Sequence, residues 1–141
     1  MNQRFLGLIG AAVFTVLTVS GAQAAGNIVS RPTELKLAAN TIKLTFSQEK
    51  FELETGKYYK LVITSDGIEE IDIHAPLLWE NSYINQLEIN DIDVFVKGDF
   101  HIGFDADGEA IIFFVPLRPG NYDLYAEGFQ NRGLKTTFVV R

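Results

Sequence analysis

Short apolar runs separated by turn residues fill most of this chain, and they limit the folds it can adopt more than any other feature. Residues 35–37 and 42–46 alternate apolar and polar side chains with a period of two, as half-buried strands do. Residues 65–67 and 105–108 carry the Asp and Gly residues that are typical of hairpin turns. The uninterrupted apolar run 110–115 predicts a strand that is buried on both faces. This spacing predicts an all-β domain, a Greek-key β-sandwich or barrel.

Two stretches depart from the regular alternation. Pro76 ends one run because it cannot donate a hydrogen bond to a sheet, and residues 77–86 predict either a short helix or an irregular insert. Downstream, apolar side chains occupy odd positions up to Ile89 and even positions from Ile92. A shift of one residue moves side chains to the other face, so we expect a turn or a bulge at residues 90–91.

The N-terminus predicts export. Arg4 precedes the apolar run 5–19, and residues 22–24 have the small-x-small pattern of a signal-peptidase site. We therefore divide the chain into a signal peptide at 1–24, a flexible leader at 25–33 and a single domain at 34–141. The expected location is periplasmic or secreted, without membrane insertion after cleavage. The alternative is an uncleaved membrane anchor.

Composition narrows the chemistry. Without residues 1–24, whose only charged side chain is Arg4, the domain has 11 basic and 18 acidic residues, and this excess of negative charge disfavours nucleic-acid binding. The chain contains no cysteine, and its single methionine is Met1. Disulfides, thiolate ligands and thioether ligands are therefore excluded from the domain.

The last third of the chain carries a recognisable pattern. Residues 114–125 contain a Pro-Gly turn followed by a strand with aromatic side chains, and residues 133–140 predict a final strand that begins after a glycine. This pattern resembles the C-terminal part of cupredoxins. Residues 51–57 and 61–65 are similar to the earlier strands of that family, so the resemblance covers roughly residues 45–140. It implies the same sandwich fold that the alternation predicts.

The resemblance also implies which residues stand at the copper ligands of that family. Ala126 stands at the cysteine, Phe129 or Gln130 near the downstream histidine, and Leu134 at the methionine. Only His74 can match the upstream histidine. A blue-copper centre requires a thiolate, so the resemblance implies the scaffold without the type 1 copper site.

One group of side chains predicts a different metal site. In the run 68–74, Glu70, Asp72 and His74 share one face of a strand because strand side chains alternate. Carboxylates and imidazole without sulfur suit Cu(II) or Zn(II), and His101 can complete a two-histidine site. The alternative is a solvated polar face with His101 as a surface residue.

A second group predicts a contact with a protein partner. Leu78, Trp79 and Tyr83 lie in the irregular stretch after Pro76, and Phe129 lies in the loop that resembles the ligand loop. These four residues are candidates for a docking patch, whereas a lid that closes one end of the barrel is the alternative.

Neither histidine lies in a catalytic motif, and no glycine-rich phosphate loop is present, so we do not expect an enzyme. The first hypothesis is an exported, non-catalytic binding or accessory module for a periplasmic protein, without a cofactor. The second is a metal-handling protein that binds copper or zinc. The third is a domain that works only within a larger redox or transport assembly.

Overall fold

The computed structural model describes residues 30–90, 93–95 and 100–141. The predicted signal peptide 1–24 lies outside the described residues, as does most of the predicted leader 25–33. Within the described ranges, neither helix has the length or the apolar character that a bilayer crossing requires.

The described residues form eleven strands, one short α-helix and one 3-10 helix. The strands are β1 (Thr33–Asn40), β2 (Thr45–Phe46), β3 (Lys50–Leu53), β4 (Tyr59–Ser65), β5 (Ile71–His74), β6 (Ser82–Asn90), β7 (Asp93–Phe95), β8 (His101–Phe104), β9 (Gly108–Pro116), β10 (Gly120–Ala126) and β11 (Lys135–Val140). The helix α1 spans Pro76–Glu80, and the 3-10 helix spans Gln130–Arg132.

The strands form two sheets. The first has the order β2-β1-β4-β9-β6, and the second has the order β3-β11-β10-β5-β8-β7. The pairs β1–β4 and β3–β11 are parallel, and the remaining pairs are antiparallel. Since apolar side chains on alternate positions of both sheets meet in one core, the predicted all-β sandwich is confirmed.

The core contains large side chains from both sheets. Phe114 comes from the first sheet, Phe104 and Phe138 come from the second, and all three are fully buried. Burying a side chain of this size contributes about 1.5–3 kcal/mol relative to leaving it in water. The sandwich is therefore held by its apolar core, since the chain has no cysteine to crosslink it.

Helix α1 closes one side of the sandwich. It packs against β10 of one sheet and β6 of the other. Leu78 is fully buried, and the Trp79 ring meets the Phe114 ring edge-on at a centroid distance of 5.9 Å. The predicted insert at 77–86 is thus a single helical turn that leads at once into β6.

The sandwich has two ends, here called the cleft end and the entry end. The cleft end carries the segments 41–44, 66–70, 105–107 and 127–134. The entry end carries the segments 54–58 and 117–119, and the chain enters the domain there because the Thr33 N–H donates to the Tyr58 carbonyl at 2.9 Å. The nine residues of β9 run from one end to the other, a span of about 30 Å.

Candidate functional site

None of the positions that resemble copper ligands holds a cysteine, a histidine or a methionine. Ala126 and Leu134 are both fully buried, and the Ala126 N–H donates to the Leu134 carbonyl at 3.0 Å. Phe129 is half-buried and Gln130 is exposed. None of these side chains is a strong ligand for copper. Backbone hydrogen bonds close the loop 127–134, among them one from the Leu134 N–H to the Phe129 carbonyl at 3.3 Å.

His74 does not face the same side of the sheet as Ala126. In the pairing of β5 with β10, Ile73 lies opposite Ala126 and His74 lies opposite Tyr125. Paired residues share a face and successive residues alternate, so Ile73 and Ala126 point into the core while His74 points away from it. The position that resembles the upstream histidine of cupredoxins is therefore on the outer face of this sheet.

The two histidines of the chain lie side by side on that outer face. His74 and His101 are direct partners in the β5–β8 pairing, and their rings stack at a centroid distance of 4.5 Å with an interplanar angle of 17°. The Tyr125 ring stacks on the other side of His74 at 5.8 Å. Stacking between these two rings buries His74 to 7% exposure, although it points outward.

The stack limits what the histidines can bind. Imidazole lone pairs lie in the ring planes, and two nearly parallel rings do not direct them at one ion about 2.0–2.1 Å from each nitrogen. The Glu127 carboxylate lies close to His74, with its Oε2 3.4 Å from His74 Nε2. Among the described residues, no group of three or more His, Asp or Glu side chains is arranged to hold a metal ion.

The predicted carboxylate ligands lie apart from this stack. Asp72 is half-buried on the same face as His74, two residues away along β5 and opposite Gly103. Glu70 is exposed and precedes β5. The structure thus brings His74 and His101 together but gathers neither Glu70 nor Asp72 around them.

The four residues predicted to form a docking patch do not share one surface. Leu78 and Trp79 are buried in the core, whereas Tyr83 is 50% exposed. Tyr83 pairs with Val115 near the entry end, whereas Phe129 lies at the cleft end, beyond the last residue of β10. The burial of Leu78 and Trp79 matches the lid alternative for α1.

The cleft end carries a cleft, lined by both apolar and polar groups, that the sequence patterns did not indicate. Its volume is about 460 Å³, and Ile42 and Ile68 on its rim are 67% and 59% exposed. The lining residues come from three turns that are distant in sequence: Thr41, Ile42, Leu44, Ile68, Glu69, Phe129 and Arg132. The alternation assigned Ile42 and Ile68 to strands, whereas the structure places both of them in segments between strands.

Close backbone packing holds two of these turns together. Leu44 has a left-handed backbone with φ 55°, and a side chain at Gly133 would place its first carbon 2.5 Å from the Leu44 carbonyl oxygen. Only glycine allows this approach, so the turn 41–44 sits directly on the loop 127–134.

Thr41 fixes the third turn. Its hydroxyl donates to the Asp66 carboxylate at 2.6 Å and accepts from the Glu69 N–H at 3.1 Å, and its own N–H donates to the same carboxylate at 3.0 Å. The hydroxyl's hydrogen bond is the main reason that the pKa of Asp66 lies below its usual 3.8. Ile68 therefore lies in a loop that these hydrogen bonds hold in place on both sides of it, at Asp66 and at Glu69.

Comparison with known proteins supports the fold. No protein-family model and no curated protein sequence matches this chain. Among solved structures, it is similar to a dithionite-reduced auracyanin from Roseiflexus castenholzii, with a TM-score of 0.55 and 13% identity, covering 79% of this chain and 99% of that one. Auracyanin A from Chloroflexus aurantiacus, a "blue" copper protein, gives a TM-score of 0.54 and 12% identity, covering 79% of this chain and 100% of that one.

A larger protein shares the architecture. The multicopper oxidase of Campylobacter jejuni matches with a TM-score of 0.52 and 8% identity, covering 79% of this chain and 30% of that one. Identities this low show the fold alone. The predicted resemblance is thus confirmed at the level of structure: this chain has a cupredoxin-like fold, and it has no cysteine with which to build a blue-copper site.

Proposed function

We propose that this protein is an exported, non-catalytic binding or accessory module that contacts a protein partner through the cleft at the cleft end of its cupredoxin-like sandwich. The observation that carries this proposal is the exposure of Ile42 and Ile68 in one cleft with the half-buried Phe129. Large apolar side chains on the rim of a cleft lose contact with water when a partner binds, which favours association.

The arrangement of this end suits protein contact better than catalysis. The turns that build the cleft are joined by backbone contacts and by the hydrogen bonds of Thr41, so the surface exists before a partner arrives. The half-buried Phe129 is the kind of aromatic anchor on which interface energy concentrates. The cleft lining contains neither histidine, which leaves it without the usual general base at neutral pH.

Site-specific photocrosslinking in the organism that encodes the protein tests this proposal. p-Benzoylphenylalanine is incorporated in place of Ile68 at the cleft end or, as the control, in place of Leu117 at the entry end, which is 56% exposed. We expect a discrete crosslinked product from position 68 and none from position 117. Combining the probe at position 68 with Ile42→Asp should abolish the product, because a buried carboxylate without a partner is costly.

Two outcomes of the crosslinking experiment would contradict the proposal. A product from position 117 alone would place the partner surface at the entry end and contradict the cleft. Products of equal yield from both positions would indicate unspecific collision, which also contradicts the proposal.

A metal-handling function is the second candidate, because the two histidines of the chain are stacked neighbours beside Glu127. Binding of one ion by both imidazoles would require at least one ring to turn out of the stack. Cu(II) is the better candidate, since it accepts imidazole and carboxylate ligands without sulfur.

Calorimetric titration with Cu(II) and with Zn(II) tests this second candidate. One-to-one binding that disappears in both His74→Ala and His101→Ala, but persists in Asp72→Asn, would assign the site to the histidine pair. Absence of binding by the unmodified protein would eliminate the metal-handling function and leave the binding module.

A further inference from the structure

We propose that the partner of the cleft is a protein whose contact surface places Lys and Arg side chains around a protruding apolar side chain. This inference rests on the proposed function, and it adds the chemical class of the partner. The apolar part follows from the exposed side chains of Ile42 and Ile68 in the cleft. The basic part follows from the charges on two loops beside it.

The first of these loops forms part of the cleft. Residues 66–70 read Asp-Gly-Ile-Glu-Glu, so the exposed Ile68 stands between carboxylates. Glu69 lines the cleft directly, and Glu70 is exposed next to it. An exposed apolar side chain between carboxylates resembles the apolar centre of a protein interface that has a charged rim.

The second loop is in backbone contact with the first. A side chain at Gly67 would place its first carbon 1.9 Å from the Asp107 nitrogen, so the turn 105–107 lies directly against the loop. This turn reads Asp-Ala-Asp, and both of its carboxylates are exposed. The contact extends the acidic rim from Glu69 to Asp105 and Asp107.

Cations near the cleft are few and partly committed to other contacts. Arg132 lines the cleft, and its guanidinium lies over the Phe129 ring at 5.7 Å. Lys43 projects from the turn 41–44 and is exposed. Between described residues, the Lys and Arg ion pairs use carboxylates elsewhere on the domain: Glu34, Glu52, Glu54 and Asp123.

This distribution of charge favours a partner whose contact surface is positively charged. Five carboxylates stand on the two adjoining loops, which contain no basic residue. Opposite charges on the partner would accelerate encounter and fix orientation, whereas an acidic partner would meet like charges at close range. The attraction would also weaken with added salt, because exposed charges are screened over about 10 Å at 0.1 M.

Two synthetic peptides that differ only in charge test this inference against the full chain labelled with ¹⁵N. Both contain a central Leu-Phe pair, flanked by lysines in one peptide and by glutamates in the other. We expect the lysine peptide to shift the amide resonances of the segments 41–44, 66–70, 105–107 and 127–132. The glutamate peptide should bind roughly tenfold more weakly, and the difference should shrink in high salt.

A matched pair of variants localises the effect. Glu69→Lys with Asp107→Lys should reverse the preference toward the glutamate peptide. Glu54→Lys with Glu80→Lys changes the net charge by the same amount at the entry end and on α1, where both residues are exposed. This control variant should keep the preference for the lysine peptide.

The outcomes distinguish a failure of this inference from a failure of the proposed function. Equal binding of both peptides at the cleft would overturn the basic partner and leave the cleft as a docking surface. Absence of binding by either peptide, or shifts confined to the entry end, would remove the cleft as a docking surface and the inference with it. Loss of the preference in the control variant would show that net charge, and not the rim, selects the peptide.

Discussion

At the scale of single residues, the buried Thr41 joins two of the three segments that form the cleft, the turn 41–44 and the loop 66–70. It is buried, with 2% exposure, and its hydroxyl joins the Asp66 carboxylate to the Glu69 N–H. A threonine at this position looks unremarkable in the sequence, because its partners lie 25 and 28 residues away along the chain. Hydrogen bonds of this kind depend on where strands end, which local patterns do not specify.

Thr41→Val should therefore destabilise the domain by about 1–3 kcal/mol, because it leaves the Glu69 N–H without this acceptor and the carboxylate without this donor. Chemical denaturation would measure the change in the free energy of unfolding. Thr45→Val is the matched control, since Thr45 is exposed on β2, and a change within about 0.5 kcal/mol is expected there.

The effect of Thr41→Val on the free energy of unfolding should depend on pH, in a direction that the pKa of Asp66 determines. The pKa of Asp66 is lowered in the folded protein, so its contribution to stability is present above the ordinary value of 3.8 and is lost as pH falls through the lowered value. The stability difference between the unmodified protein and Thr41→Val should therefore narrow below about pH 4. A difference that widens in acid would contradict this role for Thr41.

At the scale of elements, the junction of the loop 66–70 with the turn 105–107 depends on a residue without a side chain. Gly67 has a left-handed backbone with φ 65°, and the space beside it is filled by the Asp107 nitrogen and the Ala106 carbonyl carbon. Backbone atoms of a hairpin turn cannot move aside as a flexible side chain can.

Gly67→Ala should consequently cost roughly 2–4 kcal/mol, from the left-handed backbone and from the collision together. Gly128→Ala supplies the control, because Gly128 has a similar φ of 78° but open space around it. We expect only about 1 kcal/mol there, from the backbone conformation alone. Equal losses in thermal or chemical denaturation would show that the contact with the turn 105–107 contributes nothing.

Most of the elements could be predicted from the alternation of apolar residues, but their irregularities could not. The turn or bulge expected at residues 90–91 stays a prediction, because Asp91 lies outside the described residues. A bulge that the alternation did not predict lies between Ile84 and Gln86 within β6. The run 110–115 was expected to be buried on both faces, yet Ile111 and Phe113 are only half-buried on the outer face. A continuous apolar run reports hydrophobicity but not whether a second layer covers it.

At the scale of the whole molecule, the fold was predictable and the candidate site largely was not. The spacing of strands and the resemblance at residues 114–140 both led to the sandwich, because they are properties of the local sequence. The cleft arises where three turns from distant parts of the chain meet at one end of two packed sheets. His74 and His101 are neighbours on the outer face, and this placement could not be predicted because the register of His74 depends on pairing with β10.

The direction in which the chain enters the sandwich has a practical consequence. Thr33 is tied to Tyr58, and the Arg141 carbonyl accepts from the Thr55 N–H at 2.7 Å, so Thr33 and Arg141 both lie at the entry end. The domain can therefore be fixed to a sensor surface from either side, or spliced into a surface loop of a host protein, while the cleft remains clear about 30 Å away. In either arrangement the cleft would point away from the sensor surface or the host protein.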